Sequence, residues 1–284
     1  MKAVAKENKK EGEVNQMRNN KKLSLSIFIA VITILVYAVF INVCITPLIK
    51  NKPSFLTAGI IQAVARLVLS VILWISINRL FNIKIKIKKA GFLKGFLWYG
   101  LILIIATLFQ FASNYQTPEK NFPEALPMII YFFIVTLAIG IYEELLCRGL
   151  LFNSFKNYFG DTKKGIYLSA ILSSLIFGIM HLVNLIWSPS LIISTICQVI
   201  YATFVGFLFC VIYYRSQNLI SCMLLHGIFD FTAYFWFTFS DNLFQQTLNS
   251  NSVDISIGNG ALLILLSSTF VISGIFQLRK EFSK

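Results

Sequence analysis

The chain has 284 residues, 57% of them hydrophobic and only 13% charged, with a mean hydropathy of +0.74. Such a balance excludes an ordinary soluble domain and reads as an integral membrane protein. The formal charge of +13 argues for nucleic acid only until its distribution is traced, because the basic residues flank apolar segments with a consistent sidedness.

Residues 1–22 are polar and Lys-rich without apolar periodicity, and read as a disordered basic cytoplasmic tail. Beyond them, apolar stretches near the roughly 20 residues needed to cross hydrocarbon fall at 23–47, 55–80, 95–113, 127–147, 166–187, 191–213, 219–238 and 260–277. The expected fold is all-α: a polytopic membrane helix bundle of about eight transmembrane helices, forming one transmembrane domain over 23–284. The first span is longer than a signal-peptide apolar region and lacks a small-residue cleavage pattern, so it reads as a retained anchor. Spans 1 and 2 carry none of the clustered polar groups and are expected as a peripheral pair. The clearest breaks are the outside loops 114–126 and 239–259.

With the N-terminus inside and eight crossings, 21 Lys/Arg fall on the cytoplasmic side against three outside (Lys50, Lys52 and Lys120), and Arg66 lies inside a span. This bias follows the positive-inside rule and sets both termini in the cytoplasm of a multi-pass cell-membrane protein. The basic run Lys84 to Lys89 then faces anionic lipid, the bilayer being the partner, rather than nucleic acid. Cys44, Cys147, Cys197, Cys210 and Cys222 form no C-x-x-C pair and sit in or at the ends of apolar helices, where they act as small hydrophobes.

Three segments break the apolar pattern. The fourth span carries Glu143, Glu144 and Arg148. Glu144 and Arg148 share a face at i,i+4, while Glu143 points about 100° around the helix, so one acid can be held by the arginine and the other left free. A solvated helix end is the plainer reading, but Leu150, Leu151 and Phe152 continue the apolar run. Two acids inside a span are costly, from about 2.5 kcal/mol each. The helix is expected to continue through Leu150 to Tyr158, carrying Glu143 deeper. The fifth span aligns Phe177, His181 and Asn184 on one face; taken alone, this is ordinary interhelical hydrogen bonding. The seventh aligns His226 with Asp230, a carboxylate that can orient an imidazole and raise its basicity. The two histidines are the only ones in the chain.

The ordered triple Glu-Glu-x-x-x-Arg, Phe-x-x-x-His and His-x-x-x-Asp on separate apolar helices resembles the signature of the CAAX-protease and bacteriocin-processing (CPBP, or Abi) intramembrane proteases, over a core of about 127–235. The resemblance implies a hydrolase with Glu143, His181, His226 and Asp230 as catalytic residues. It places Glu143 as general base on a water also held by His181, and His226 with position 230 toward the substrate carbonyl. Glu144 and Arg148 would orient Glu143, with Phe177 and Asn184 supporting. An ionised aspartate cannot donate to an oxyanion. Asp230 is therefore either protonated in apolar surroundings or acts through His226, keeping the imidazole charged or oriented, and the second role is expected. Whether a divalent metal such as zinc takes part is open: two histidines plus a carboxylate (Glu143, His181, His226) would suit such a site, whereas the chain lacks H-E-x-x-H and a metal-free glutamate mechanism is slightly favoured.

The expected substrate is a membrane-associated or lipidated peptide or protein. The richness in Ile, Lys, Asn and Phe suggests a bacterium with an AT-rich genome, hence peptide maturation, bacteriocin self-immunity or regulation. Two other classes compete. A non-catalytic membrane scaffold has no need of Glu143, His181 and His226, and a proton-coupled transporter is weakened by the lack of inverted repeats.

Overall fold

The computed structural model describes residues 2–40, 43–44, 55–240 and 256–283, and among these it is helical with no β-strand beyond one isolated bridge between Ile87 and Asn218. In chain order the helices are α1 (Lys2–Phe40), α2 (Phe55–Arg79), α3 (Lys89–Tyr99), α4 (Leu101–Ser113), α5 (Phe122–Phe159), α6 (Lys163–Ile186), α7 (Ile192–Ser216), α8 (Leu219–Tyr234) and α9 (Ile257–Phe282). A short 3-10 turn, Trp236–Phe239, follows α8.

Each of the eight expected segments contains helix among its described residues, but they are not eight equal spans. Among the described residues six helices are long and apolar enough to cross a membrane, or seven if the bent pair α3/α4 counts as one. That pair turns by 56° at Gly100, where an added Cβ would come within 2.6 Å of Leu225 Cδ1 and of the Phe96 carbonyl oxygen. The eighth segment, α8, has 16 residues, short of the roughly 20 that span hydrocarbon; its aromatic continuation folds into the 3-10 turn instead. Residues 2–22, expected as a disordered tail, continue α1. Lys, Glu and Ala are good helix formers, and the apolar stretch beyond them supplies the nucleus that an isolated segment would lack. The expected outside loop 239–259 lies, over 241–255, outside the described residues, as do Lys50 and Lys52.

Local sequence explains where the central helices begin and end. Asn121 and Glu124 form a reciprocal capping box at the start of α5, with Pro123 in the first turn. Gly160 at φ +85° closes α5 in a conformation that glycine adopts without strain, and the Thr162 side chain accepts from the Gly165 amide to open α6. Asn218 does the same for α8 through Ser221.

At the centre α5 packs along α8, α6 packs along α7, and α2 lies against the other side of α5. The α5/α8 crossing is close because it is made by glycines. A Cβ on Gly140 would come within 2.6 Å of the Met223 carbonyl oxygen and 2.8 Å of the Gly227 amide nitrogen. Small residues at a crossing let two backbones approach, the usual device of membrane helix pairs. Gly140 lies one turn before Glu144 and Gly227 directly follows His226, so this close approach brings the acid of one helix to the imidazole of the other.

Candidate active site

α5 does not run through its 38 residues as a uniform α-helix. After Glu144 it widens into a π-helix, Leu145–Phe152, before resuming as α-helix at Asn153–Phe159. The expected continuation past Leu150 is therefore present, and Glu143 lies near the middle of the long helix. π-Turns leave backbone groups out of register, and here side chains from two helices take them up. Asn153 Nδ2 donates to the carbonyls of Arg148 (2.9 Å) and Gly149 (3.0 Å), and lies 3.2 Å from Tyr213 Oη. Ser173 Oγ donates to the Cys147 carbonyl at 2.8 Å.

The π-segment delivers Arg148 into the core. Its guanidinium and the Glu144 carboxylate are both fully buried and meet at 2.7 Å. Arg148 Nη2 also donates to the Gly206 carbonyl at 2.9 Å, and the guanidinium lies over the rings of Phe177 (4.7 Å) and Phe209 (5.1 Å). Gly206 is required there: a Cβ would come within 2.9 Å of Phe177 and 3.3 Å of Arg148 Nη2. Planar charge, two aromatic faces and a backbone acceptor together replace the hydration that Arg148 forgoes.

Glu144 Oε1 also accepts from His226 Nδ1 at 2.9 Å. An ionised carboxylate only accepts, so this contact places a proton on Nδ1 and turns Nε2 toward the opposite side of the ring. On that side stand Asp230 Oδ2 at 3.5 Å and Glu143 Oε2 at 3.7 Å. Both are longer than a formed hydrogen bond and leave the inner edges of the carboxylates open. The ring itself is stacked on Phe209 (5.3 Å) and edge-on to Phe177 (5.9 Å). The Glu144–Arg148 pair, expected to orient Glu143, thus contacts His226 instead; Glu143 points around the helix as its position next in sequence requires.

His181 is the residue at which α6 tightens from α-helix into a 3-10 turn, His181–Val183. Its Nδ1 lies 3.0 Å from the Phe177 carbonyl, which leaves Nε2 free for other partners. Asn184, one turn on, donates to Gln198 Oε1 of α7 at 2.9 Å. Glu143, His181, Asn184, His226 and Asp230 all line one cavity of about 310 Å³, walled also by Phe177, Gln110, Gln198 and Tyr201. Gln110 is fixed there by donating to the Phe229 carbonyl (2.8 Å) and Thr232 Oγ1 (2.9 Å). Gln110 and Gln198 were not singled out from the sequence; the signal available was a lone amide inside an apolar helix, which is costly unless paired.

The helices expected to be peripheral also reach this centre. Tyr37 of α1 and Arg66 of α2 line a second cavity, of about 180 Å³, together with Tyr142, Glu143, His181 and Asn184. From the sequence Arg66 is placed only as a charge inside a span and Tyr37 is not singled out, because neither belongs to a cluster of titratable groups within its own helix. Among the described residues no three His, Cys, Asp or Glu side chains are placed to hold a metal ion.

A bundle of apolar helices with glutamate, two histidines and aspartate gathered on one cavity suits a multi-pass membrane protein with a candidate catalytic centre. The comparison with protein families agrees: residues 124–232 match the family described as Type II CAAX prenyl endopeptidase Rce1-like. Residues 124–232 therefore resemble an Rce1-like domain, consistent with the CPBP family, in a chain whose long apolar helices suit a multi-pass membrane protein. No curated protein and no solved structure matches the chain.

Proposed function

We propose that this protein hydrolyses a peptide bond of a membrane-associated or lipidated substrate at the larger cavity. One observation carries the reading: Glu143 and Asp230 flank His226 Nε2 at 3.7 and 3.5 Å on the wall of a cavity that His181 shares. Glu143 has no hydrogen bond fixing it in the resting site and a side chain that is 20% exposed, as a base that must take a proton from water requires. His181 holds the same water, and its Nδ1 contact to the Phe177 carbonyl aims the ring. His226, carrying a proton on each nitrogen, donates from Nε2 to the oxyanion of the tetrahedral intermediate. The two carboxylates on either side favour that charge, and Glu144 with Arg148 holds the ring in place. Asp230 acts through His226 rather than on the oxyanion, since an ionised carboxylate has nothing to donate.

The physiological role that fits this chain is peptide maturation, bacteriocin self-immunity or regulation in a bacterium, with both termini cytoplasmic. The test compares wild type with Glu143→Ala at equal membrane levels, reading cleavage of candidate lipidated peptides by mass spectrometry. A loss of about 10²- to 10⁴-fold is expected from removing a general base; full activity in the variant would overturn the assignment.

A further inference from the structure

The smaller cavity is built from polar groups that have nothing to bind. Tyr37 Oη, Tyr142 Oη and Arg66 Nη1 are all buried, and among the described residues none has a hydrogen-bond partner, yet all three residues line the same space of about 180 Å³. A buried donor left unpaired costs about 1–3 kcal/mol, and an arginine within a span pairs with an acid as a rule. Arg66 does not: among the described residues no carboxylate lies within ion-pair distance of it, and its guanidinium rests instead on the Tyr37 ring at 4.5 Å. The Tyr37 and Tyr142 rings stand 5.9 Å apart. Glu143 borders this cavity as well as the larger one, so cation and base face the same space without neutralising each other.

We propose that this cavity is a subsite for a carboxylate of the substrate, held by Arg66 Nη1 with the Tyr37 and Tyr142 hydroxyls as flanking donors. A planar carboxylate suits a guanidinium edge. The volume equals about six waters at roughly 30 Å³ each, enough for a carboxylate and a small side chain. Ile34, Ala38, Met180 and Val183 form the apolar collar around it. The carboxylate is a chain terminus or an acidic side chain close to the scissile bond, because Glu143 and His181 stand on the same wall. Tyr37 and Arg66 lie outside residues 124–232, so this recognition belongs to the helices that the family match does not cover. The inference rests on the protease reading only in calling the ligand a substrate; binding tests it without cleavage.

The experiment uses the full-length protein in phosphatidylcholine nanodiscs and measures binding of alanyl-alanyl-leucine as free acid and as amide, and of N-acetyl-aspartyl amide against N-acetyl-asparaginyl amide. At least one acid should bind about tenfold or more tightly than its neutral counterpart, the share expected of a charge-assisted contact, and the pair that discriminates identifies the source of the carboxylate. Arg66→Met should abolish the discrimination, Arg66→Lys should keep part of it, and Tyr142→Phe should weaken it severalfold while leaving the charge in place. Glu143→Gln should retain it, which separates this site from the proposed chemistry. Equal binding of acids and neutral forms by the wild type, or discrimination that survives Arg66→Met, would overturn the proposal. So would loss of discrimination on adding phosphatidylglycerol, which would assign the cavity to a lipid phosphate.

Discussion

The two faces of α5 at Glu143 and Glu144 handle charge in opposite ways. On the inner face, toward α6, α7 and α8, Glu144, Arg148 and His226 meet at 2.7 and 2.9 Å, with the glutamate and arginine fully buried. On the other face, Tyr37, Arg66 and Tyr142 stand around a cavity with polar atoms that have no hydrogen-bond partner among the described residues, and Glu143, 20% exposed, lies between the two, 3.7 Å from His226 Nε2. The inner face is ion-paired, with Glu144 Oε2 and Arg148 Nε its atoms without a hydrogen-bond partner among the described residues, and it acts as a scaffold that sets an imidazole; the outer face holds a cation with no carboxylate partner among the described residues, which is what a ligand can use. Two adjacent glutamates thus separate into structure and chemistry through the 100° that one residue turns on a helix.

The comparison predicts its own sharpest test. Glu144→Ala or Arg148→Ala leaves one buried charge without its partner, which costs about 3–5 kcal/mol, and should lower thermal stability in detergent by a wide margin. Glu143→Ala removes no hydrogen bond and should unfold within about 1 kcal/mol of wild type while losing cleavage. Were Glu143→Ala to destabilise as much as Arg148→Ala, the separation into structure and chemistry would be wrong.

A smaller loss is expected at Asn153. Its amide supports the carbonyls of Arg148 and Gly149, so Asn153→Ala strips partners from a buried π-turn and should cost about 1–3 kcal/mol. If the π-turn is what delivers Arg148, the variant should also lose activity in proportion. A stable variant with unchanged cleavage would show that Phe177, Phe209 and Gly206 hold Arg148 without help.

Much of this was legible in advance because membranes penalise polar groups. Glu143, Glu144, Arg148, His181, His226 and Asp230 stood out against apolar runs, and helical spacing correctly paired Glu144 with Arg148. The link between Glu144 and His226 was not legible: it depends on the Gly140–Gly227 crossing, and periodicity within one helix says nothing of which helix lies alongside. The π-turn was invisible for a related reason, since its carbonyls are met by side chains, Asn153 from its own helix and Ser173 from α6, rather than by a pattern of local propensity. Arg66 was legible only as a charge inside a span, and Tyr37 not at all, because neither has a titratable partner at helical spacing in its own span. Their joining to Glu143 is a property of the α1–α2–α5 packing.

The mildest prediction concerns how firmly the wall of the larger cavity is held. Asn184 of α6 donates to Gln198 of α7 at 2.9 Å, and both line the larger cavity. Interhelical hydrogen bonds in membranes average only about 0.6 kcal/mol in double-mutant cycles, because the partners find other contacts when separated. A cycle of Asn184→Ala, Gln198→Ala and the double variant should therefore return a coupling of that order in stability, small beside the loss at Arg148. The same cycle read in KM discriminates further. If the pair only staples α6 to α7, KM should move with stability alone; if the amides also contact peptide backbone, each single variant should raise KM severalfold while stability barely changes, which would mark them as part of the binding surface.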